Sequence, residues 1–141
     1  MKLLVPVDGS DASLRAVKFA ISIARMAPPS EILLITVQNS GTLGLGELGL
    51  VSPAVFQKLA LSAGAKALRK AIALCKAAKL KFSADVETGP IAETTIGFAR
   101  QKRADQIVMG TRGLGGVRGL LLGSVATQIV HLATVPVTLV K

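Results

Sequence analysis

A chain of 141 residues, half of them hydrophobic, fits one domain over 1–141 with a well-buried core. Only 3% are aromatic, so that core must be built from Leu, Val, Ile and Ala, which suit parallel strands buried on both faces. The net charge of +9, from 17 Lys and Arg against 8 Asp and Glu, raises polyanion binding, but the cations are not interleaved with aromatics for base stacking, which argues against nucleic acid.

Leu3 to Val7 is a short apolar run, too short for the core of a secretory signal, and reads as a first strand. Asp8-Gly9-Ser10-Asp11 ends it with turn and helix-cap residues. A helix follows to about Met26. Its polar residues Arg15, Lys18, Ser22 and Arg25 recur at three and four, one narrow wet stripe on a helix expected to be covered on most other sides. Pro28-Pro29 stops it.

Ile32 to Val37 is a second buried strand, and Gln38 to Val51 is a loop without clear period. Inside it, Gly44-Leu45-Gly46-Glu47-Leu48-Gly49 spells G-x-G-x-x-G, yet no strand immediately precedes it, and the acid expected about twenty positions on is absent. A flexible connection is the better reading.

Ser52-Pro53 starts a second helix running to about Ala78. From Glu47 to Asp85 no acid intervenes, whereas Lys58, Lys66, Arg69, Lys70, Lys76, Lys79 and Lys81 all occur. These read as the solvated outer face of the helix, with docking of an acidic partner as the alternative. Cys75, the single cysteine, excludes an intramolecular disulfide and a thiol-cluster metal site; it fits a packed thiol in a reducing, cytoplasmic protein.

Phe82, Ala84 and Val86 alternate with polar neighbours as a third strand near a sheet edge, and Gly89-Pro90 opens a third helix to about Lys102, with Ala92, Ile96 and Ala99 inward. Gln106 to Met109 is a fourth strand. A glycine-rich loop leads to a helix from about Ser124 to Ala133, with Val125, Ile129 and Leu132 as its inner stripe, and the chain finishes with the strand Val137 to Val140. Gly119 to Val140 is uncharged and long enough to span a bilayer, but its Ser124, Thr127, Gln128, Thr134 and Pro136 divide it into helix and strand, so no membrane span is expected. Strict strand–helix alternation makes the fold class α/β, an open parallel sheet with right-handed crossovers.

The loop after the fourth strand carries the chemistry. Met109-Gly110-Thr111-Arg112-Gly113 is followed, nine residues on, by Gly123-Ser124-Val125-Ala126. Glycine lets backbone N–H groups approach phosphate oxygens closely, and Gly123-Ser124 stands where a helix begins, so N–H groups and dipole favour an anion. Arg112 and Arg118 are the only charges in the loop, both positive. A nucleophile–His–acid set is not assembled: His131 falls on the polar side of the last helix.

The spacing G-x2-G-x9-G-[ST], met by Gly110, Gly113, Gly123 and Ser124, resembles the ATP-binding signature of the universal stress protein family. The likeness extends to LLVPVDGS at the start, Glu87-Thr88-Gly89-Pro90, Ala104 to Thr111, and Pro136-Val137. The resemblance implies a Rossmann-like, five-stranded parallel sheet in the order 3-2-1-4-5, whose first and fourth strands meet at the switch-point crevice. It implies that Asp8 meets the ribose side of an adenine nucleotide, Val37 the adenine, and Met109 and Gly110 the ribose and base. Arg112, Gly113, Gly123, Ser124 and Val125 would surround the phosphates. Many members carry His where Arg112 stands; Arg keeps its charge at every physiological pH. ATP is the ligand implied, with AMP or a cyclic nucleotide as alternatives and a divalent cation such as magnesium on the phosphates. A stress-response regulatory role, at most slow ATP hydrolysis, and a homodimer through the last strand are also implied.

Overall fold

The computed structural model describes residues 1–40, 43, 51–114 and 121–141. The G-x-G-x-x-G stretch from Gly44 to Gly49, and Arg118, lie outside them.

The elements run β1 (Lys2–Pro6), α1 (Asp11–Met26), β2 (Glu31–Gln38), α2 (Pro53–Ala78), β3 (Lys81–Thr88), α3 (Ile91–Lys102), β4 (Gln106–Gly110), α4 (Ser124–Leu132) and β5 (Val137–Val140). They form one five-stranded sheet in the order β3-β2-β1-β4-β5, parallel at every pairing. The order expected from the resemblance is the order found.

Side chains of a strand alternate between faces, and the two cores follow that alternation. Leu3 and Val5 of β1, Val7 just after it, and Ile32 and Leu34 of β2 join Val17, Ala20 and Ile21 of α1 and Leu68, Ala71 and Cys75 of α2. Leu4 of β1 and Leu33, Ile35 and Val37 of β2 face the other way, onto Ile96, Phe98 and Ala99 of α3 and Ala126 and Ile129 of α4. Helices α1 and α2 therefore cover one face, and α3 and α4 the other. The middle stretches of β1 and β2 are mostly apolar because neither face meets water.

Cys75 is fully buried. Burial pushes its thiol up to about 11, so it stays protonated at neutral pH, the inert packed state its apolar neighbours suggested.

Two expectations about helix faces need correction. Arg15, Lys18, Ser22 and Arg25 are exposed, but so are Phe19 (43%) and Met26 (77%), so α1 is wet over more than a narrow stripe. A helix lying on a sheet buries one side, and Phe19 and Met26 fall outside it. In α4 the inner positions are Ala126 and Ile129, while Leu132, at the last position of this nine-residue helix, is exposed. Among the described residues no helix is long and apolar enough to cross a membrane.

Helix α2 approaches the sheet closely at Gly64. A Cβ there would lie 2.5 and 2.6 Å from the two methyl carbons of Val86 and 3.1 Å from the Thr36 methyl. Gly97 in α3, also mid-helix, has nothing within 4 Å of such an atom. The two glycines should respond oppositely to substitution. Gly64→Val should lower unfolding free energy by about 1–3 kcal/mol through overpacking. Gly97→Ala should raise it by about 0.5–1 kcal/mol, because alanine loses less backbone entropy in a helix. Urea denaturation of both variants checks the pair; equal effects would mean that α2 does not sit this close to β2 and β3.

Candidate functional site

The central seam of the sheet is β1 against β4. Asp105, just before β4, fixes its amino end: its N–H donates to the Lys2 carbonyl at 2.9 Å, and its carboxylate accepts the Lys2 N–H at 2.6 Å. Asp8, just past β1, fixes the other end. One carboxylate oxygen accepts the Ser10 N–H at 2.9 Å, and the other accepts the Leu114 N–H at 3.1 Å. The first bond shapes the turn into α1; the second ties that turn to the glycine-rich loop.

Each loop is built for close approach. Gly9 has φ +84°, which glycine alone adopts at little cost, and a Cβ on it would lie 3.5 Å from Ala67 of α2. Ser10 then caps α1, its hydroxyl accepting the Ser13 N–H at 3.1 Å. A Cβ on Gly110 would meet the first turn of α1 at 2.9 Å from Ala12, and one on Gly113 would fall 2.5 Å from a carboxylate oxygen of Asp8. The Gly123 N–H closes the base of the loop on the Thr111 carbonyl at 2.8 Å.

Helix α4 starts directly behind this closure. Gly123 is its N-cap residue, with no side-chain cap and no acid in the first turn. The first-turn N–H groups, which no helix can satisfy internally, border the cleft at Ser124, Val125 and Ala126.

These elements enclose a cleft of about 830 Å³ at the carboxyl ends of the strands. That volume suits a nucleotide-sized molecule. Asp8, Val37, Met109, Gly110, Arg112, Gly113, Gly123, Ser124 and Val125, the nine residues singled out from sequence, all line it. His131 is exposed and does not.

The cleft also has walls that sequence reasoning missed. Thr36, Gln38 and Thr95 are buried polar residues along it. The Gln38 amide donates to the Thr36 hydroxyl at 3.2 Å, and the Thr95 hydroxyl donates to the Ile91 carbonyl at 2.7 Å. Strand β2 extends through Gln38, which the sequence reading assigned to the loop; polar residues ending an otherwise apolar strand were the available signal.

The larger correction concerns α2. Lys66, Arg69 and Lys70 border the cleft, whereas Lys58 and Lys76 do not, so the basic residues are not simply an outer solvated face. With Arg112 they make four cations around one carboxylate, Asp8. Among the described residues the one ion pair is Lys81–Glu31 at 3.3 Å, on the β2–β3 edge, so none of the four cleft cations is neutralised that way.

The universal stress protein family model matches residues 1–141. The chain belongs to the universal stress protein family. It is 36% identical over 140 residues to universal stress protein MJ0531 of Methanocaldococcus jannaschii, covering 99% of this chain and 81% of that protein. The solved structure of the protein MJ0577 superposes with a TM-score of 0.81 at 23% identity, over 99% of this chain and 94% of that one. A universal stress protein solved in complex with cAMP is 27% identical, with a TM-score of 0.69, over 100% of this chain and 96% of that one.

Within this universal stress protein, Asp8 is the link between the two loops, which gives it a role separate from any ligand. Asp8→Ala should cost about 1–2 kcal/mol of stability, since each bond it accepts is worth about 0.5–1.5 kcal/mol. Amide hydrogen exchange should accelerate at Ser10 and Leu114. Unchanged exchange at Leu114 would mean that the carboxylate does not hold the loop.

Proposed function

We propose that this protein binds an adenine nucleotide, with its phosphates against Gly113, Gly123 and the first turn of α4. The observation that carries the reading is convergence. Nine residues from four separate segments, named from spacing and resemblance, line a single cleft at the β1–β4 switch point.

In this reading Ser124 and Val125 offer N–H groups and a hydroxyl to phosphate oxygens, Gly123 leaves room for their approach, and Arg112 supplies a permanent positive charge. Val37 and Met109 are largely buried apolar surface suited to a base, with Asp8 and Gly110 towards the ribose. The relative with bound cAMP supports an adenine nucleotide in this fold. ATP is the ligand that the family's G-x2-G-x9-G-[ST] signature favours, met here by Gly110, Gly113, Gly123 and Ser124. A divalent cation would take its ligands chiefly from the phosphates and water. Among the described residues no three His, Cys, Asp or Glu gather to hold one, and Asp8 already accepts two backbone donors.

Binding rather than turnover is the reading these groups support, since the one carboxylate among the described residues of the cleft, Asp8, already accepts two backbone N–H groups. A regulatory role follows: the nucleotide would link the loop after β4 to the turn after β1 and alter what the surface presents.

The cleanest test of the loop is Gly123. Its φ of −71° and ψ of 164° suit any residue, and an added Cβ meets nothing nearer than 3.5 Å, so Gly123→Val should fold normally. The branched side chain would stand where phosphate oxygens meet the α4 N–H groups. ATP affinity measured by calorimetry should fall at least tenfold, about 1.4 kcal/mol, with circular dichroism unchanged and the melting temperature lowered only modestly, since valine caps a helix less well than glycine. Gly113 is a poorer probe, because a side chain there would also collide with Asp8. Wild-type ATP affinity in a folded Gly123→Val variant would defeat the reading.

We further propose that two copies pair through β5. It stands at the sheet edge with Val137, Thr138, Leu139 and Val140 all partly exposed, and an unpaired edge invites another strand. Light scattering at micromolar concentration should give a dimer, and Leu139→Lys should shift it towards monomer. A wild-type monomer would end this proposal.

A further inference from the structure

Cations of α2 border the same cleft as the glycine loop. Ala63, Lys66, Ala67 and Lys70 are spaced three and four apart, so they form one stripe, and all four line the cleft. Ala67 is the residue against which Gly9 packs, next to Asp8 in the chain. Gly113 closes on the Asp8 carboxylate from the loop after β4. Positive groups therefore reach the cleft from two elements that contact the Asp8-Gly9 turn: Arg112 and the α4 amino terminus from the glycine loop that Gly113 brings to Asp8, and Lys66 and Lys70 from the helix that Ala67 brings to Gly9.

Helix α2 contains no acid at all, and lysines four apart repel each other, so the chain gains nothing for folding from this arrangement. Neither lysine is hydrogen-bonded or paired within the described residues. Lys66 and Lys70 are exposed at the border of the cleft, and like charges without a partner among the described residues make sense there when a ligand supplies the counter-charge.

We propose that Lys66 and Lys70 form a second anion site in the cleft, selecting adenine nucleotides that carry a further phosphate on the ribose besides the group held by the glycine loop. The inference rests on the nucleotide reading above and deepens it by naming the ligand class, a nucleoside bisphosphate. Lysine suits the role as a mobile point charge with three donors, able to follow a phosphate at the rim.

The test compares adenosine 5′-monophosphate with adenosine 3′,5′-bisphosphate by calorimetry at fixed ionic strength. Three proteins are measured: wild type, Lys66→Gln/Lys70→Gln, and the control Lys58→Gln/Lys76→Gln, which removes the same charge away from the cleft. Wild type and control should bind the bisphosphate at least tenfold tighter than the monophosphate, and the first double variant should lose most of that preference. Equal binding by wild type, a preference that survives in Lys66→Gln/Lys70→Gln, or one lost equally in the control would overturn the second site while leaving the nucleotide reading intact. Failure of both nucleotides and of ATP to bind would overturn both. Heparin binding that depends on Lys66 and Lys70, without any bisphosphate preference, would assign the stripe to a macromolecular polyanion and likewise overturn the proposal.

Discussion

The pairing of β1 with β4 is the constraint from which the rest of this molecule follows. These strands are neighbours in the sheet but are separated in the chain by three helices and two strands, and their register is anchored by Leu3 opposite Gln106 and Leu4 opposite Ile107. The chain leaves β1 towards α1 on one face and leaves β4 towards α4 on the other. Connections that diverge in this way open a crevice at the carboxyl ends. Two aspartates bracket the seam: Asp105 grips Lys2 at its amino end, and Asp8 grips Leu114 beyond its carboxyl end. The crevice is thus braced, and its width is set by backbone contacts at Gly110 and Gly113 that a larger residue would prop apart.

Much of this was legible in the sequence because buried parallel strands and amphipathic helices leave different traces. Leu3 to Val7 is apolar without interruption and Ile32 to Val37 is broken only by Thr36, as suits strands covered on both faces, and the serines at 10 and 52 mark where helices begin. The strand order and the nine cleft residues rested on the glycine spacing and its family resemblance. Periodicity alone yields faces of elements without saying what those faces look at. That limit explains the incomplete reading of α2: its run of cations marked a solvated face, and Lys66 and Lys70 are indeed exposed, but only the packing of Ala67 on Gly9 shows that this part of the helix also borders the cleft. It explains Phe19 too, since an apolar residue beside a wet stripe is covered only if a second layer reaches it. The bonds of Asp8 were half legible, because an Asx turn onto Ser10 follows from local sequence, whereas the bond to Leu114 crosses more than a hundred residues.

The way the helices are capped bears on what the cleft is for. Helices α1 and α2 each begin with a serine whose hydroxyl accepts a first-turn N–H. Such a cap is worth about 0.5–2 kcal/mol relative to alanine. Helix α3 lacks one but carries Glu93 in its first turn, which offsets the positive end of its dipole. Helix α4 has neither a side-chain cap nor an acid. Its N–H groups and dipole are left for water or for something that enters the cleft.

Folding alone would favour Asp or Ser at position 123, and the geometry would accept either, because the backbone there is extended and a Cβ finds room. Glycine at this position gives up stability and keeps the space in front of three N–H groups clear. With four unpaired cations around the same opening, the cleft carries an excess of positive potential that nothing else in the described structure neutralises. An anion is the kind of ligand that turns all of these local losses into a gain, because it meets the free N–H groups and the cations together.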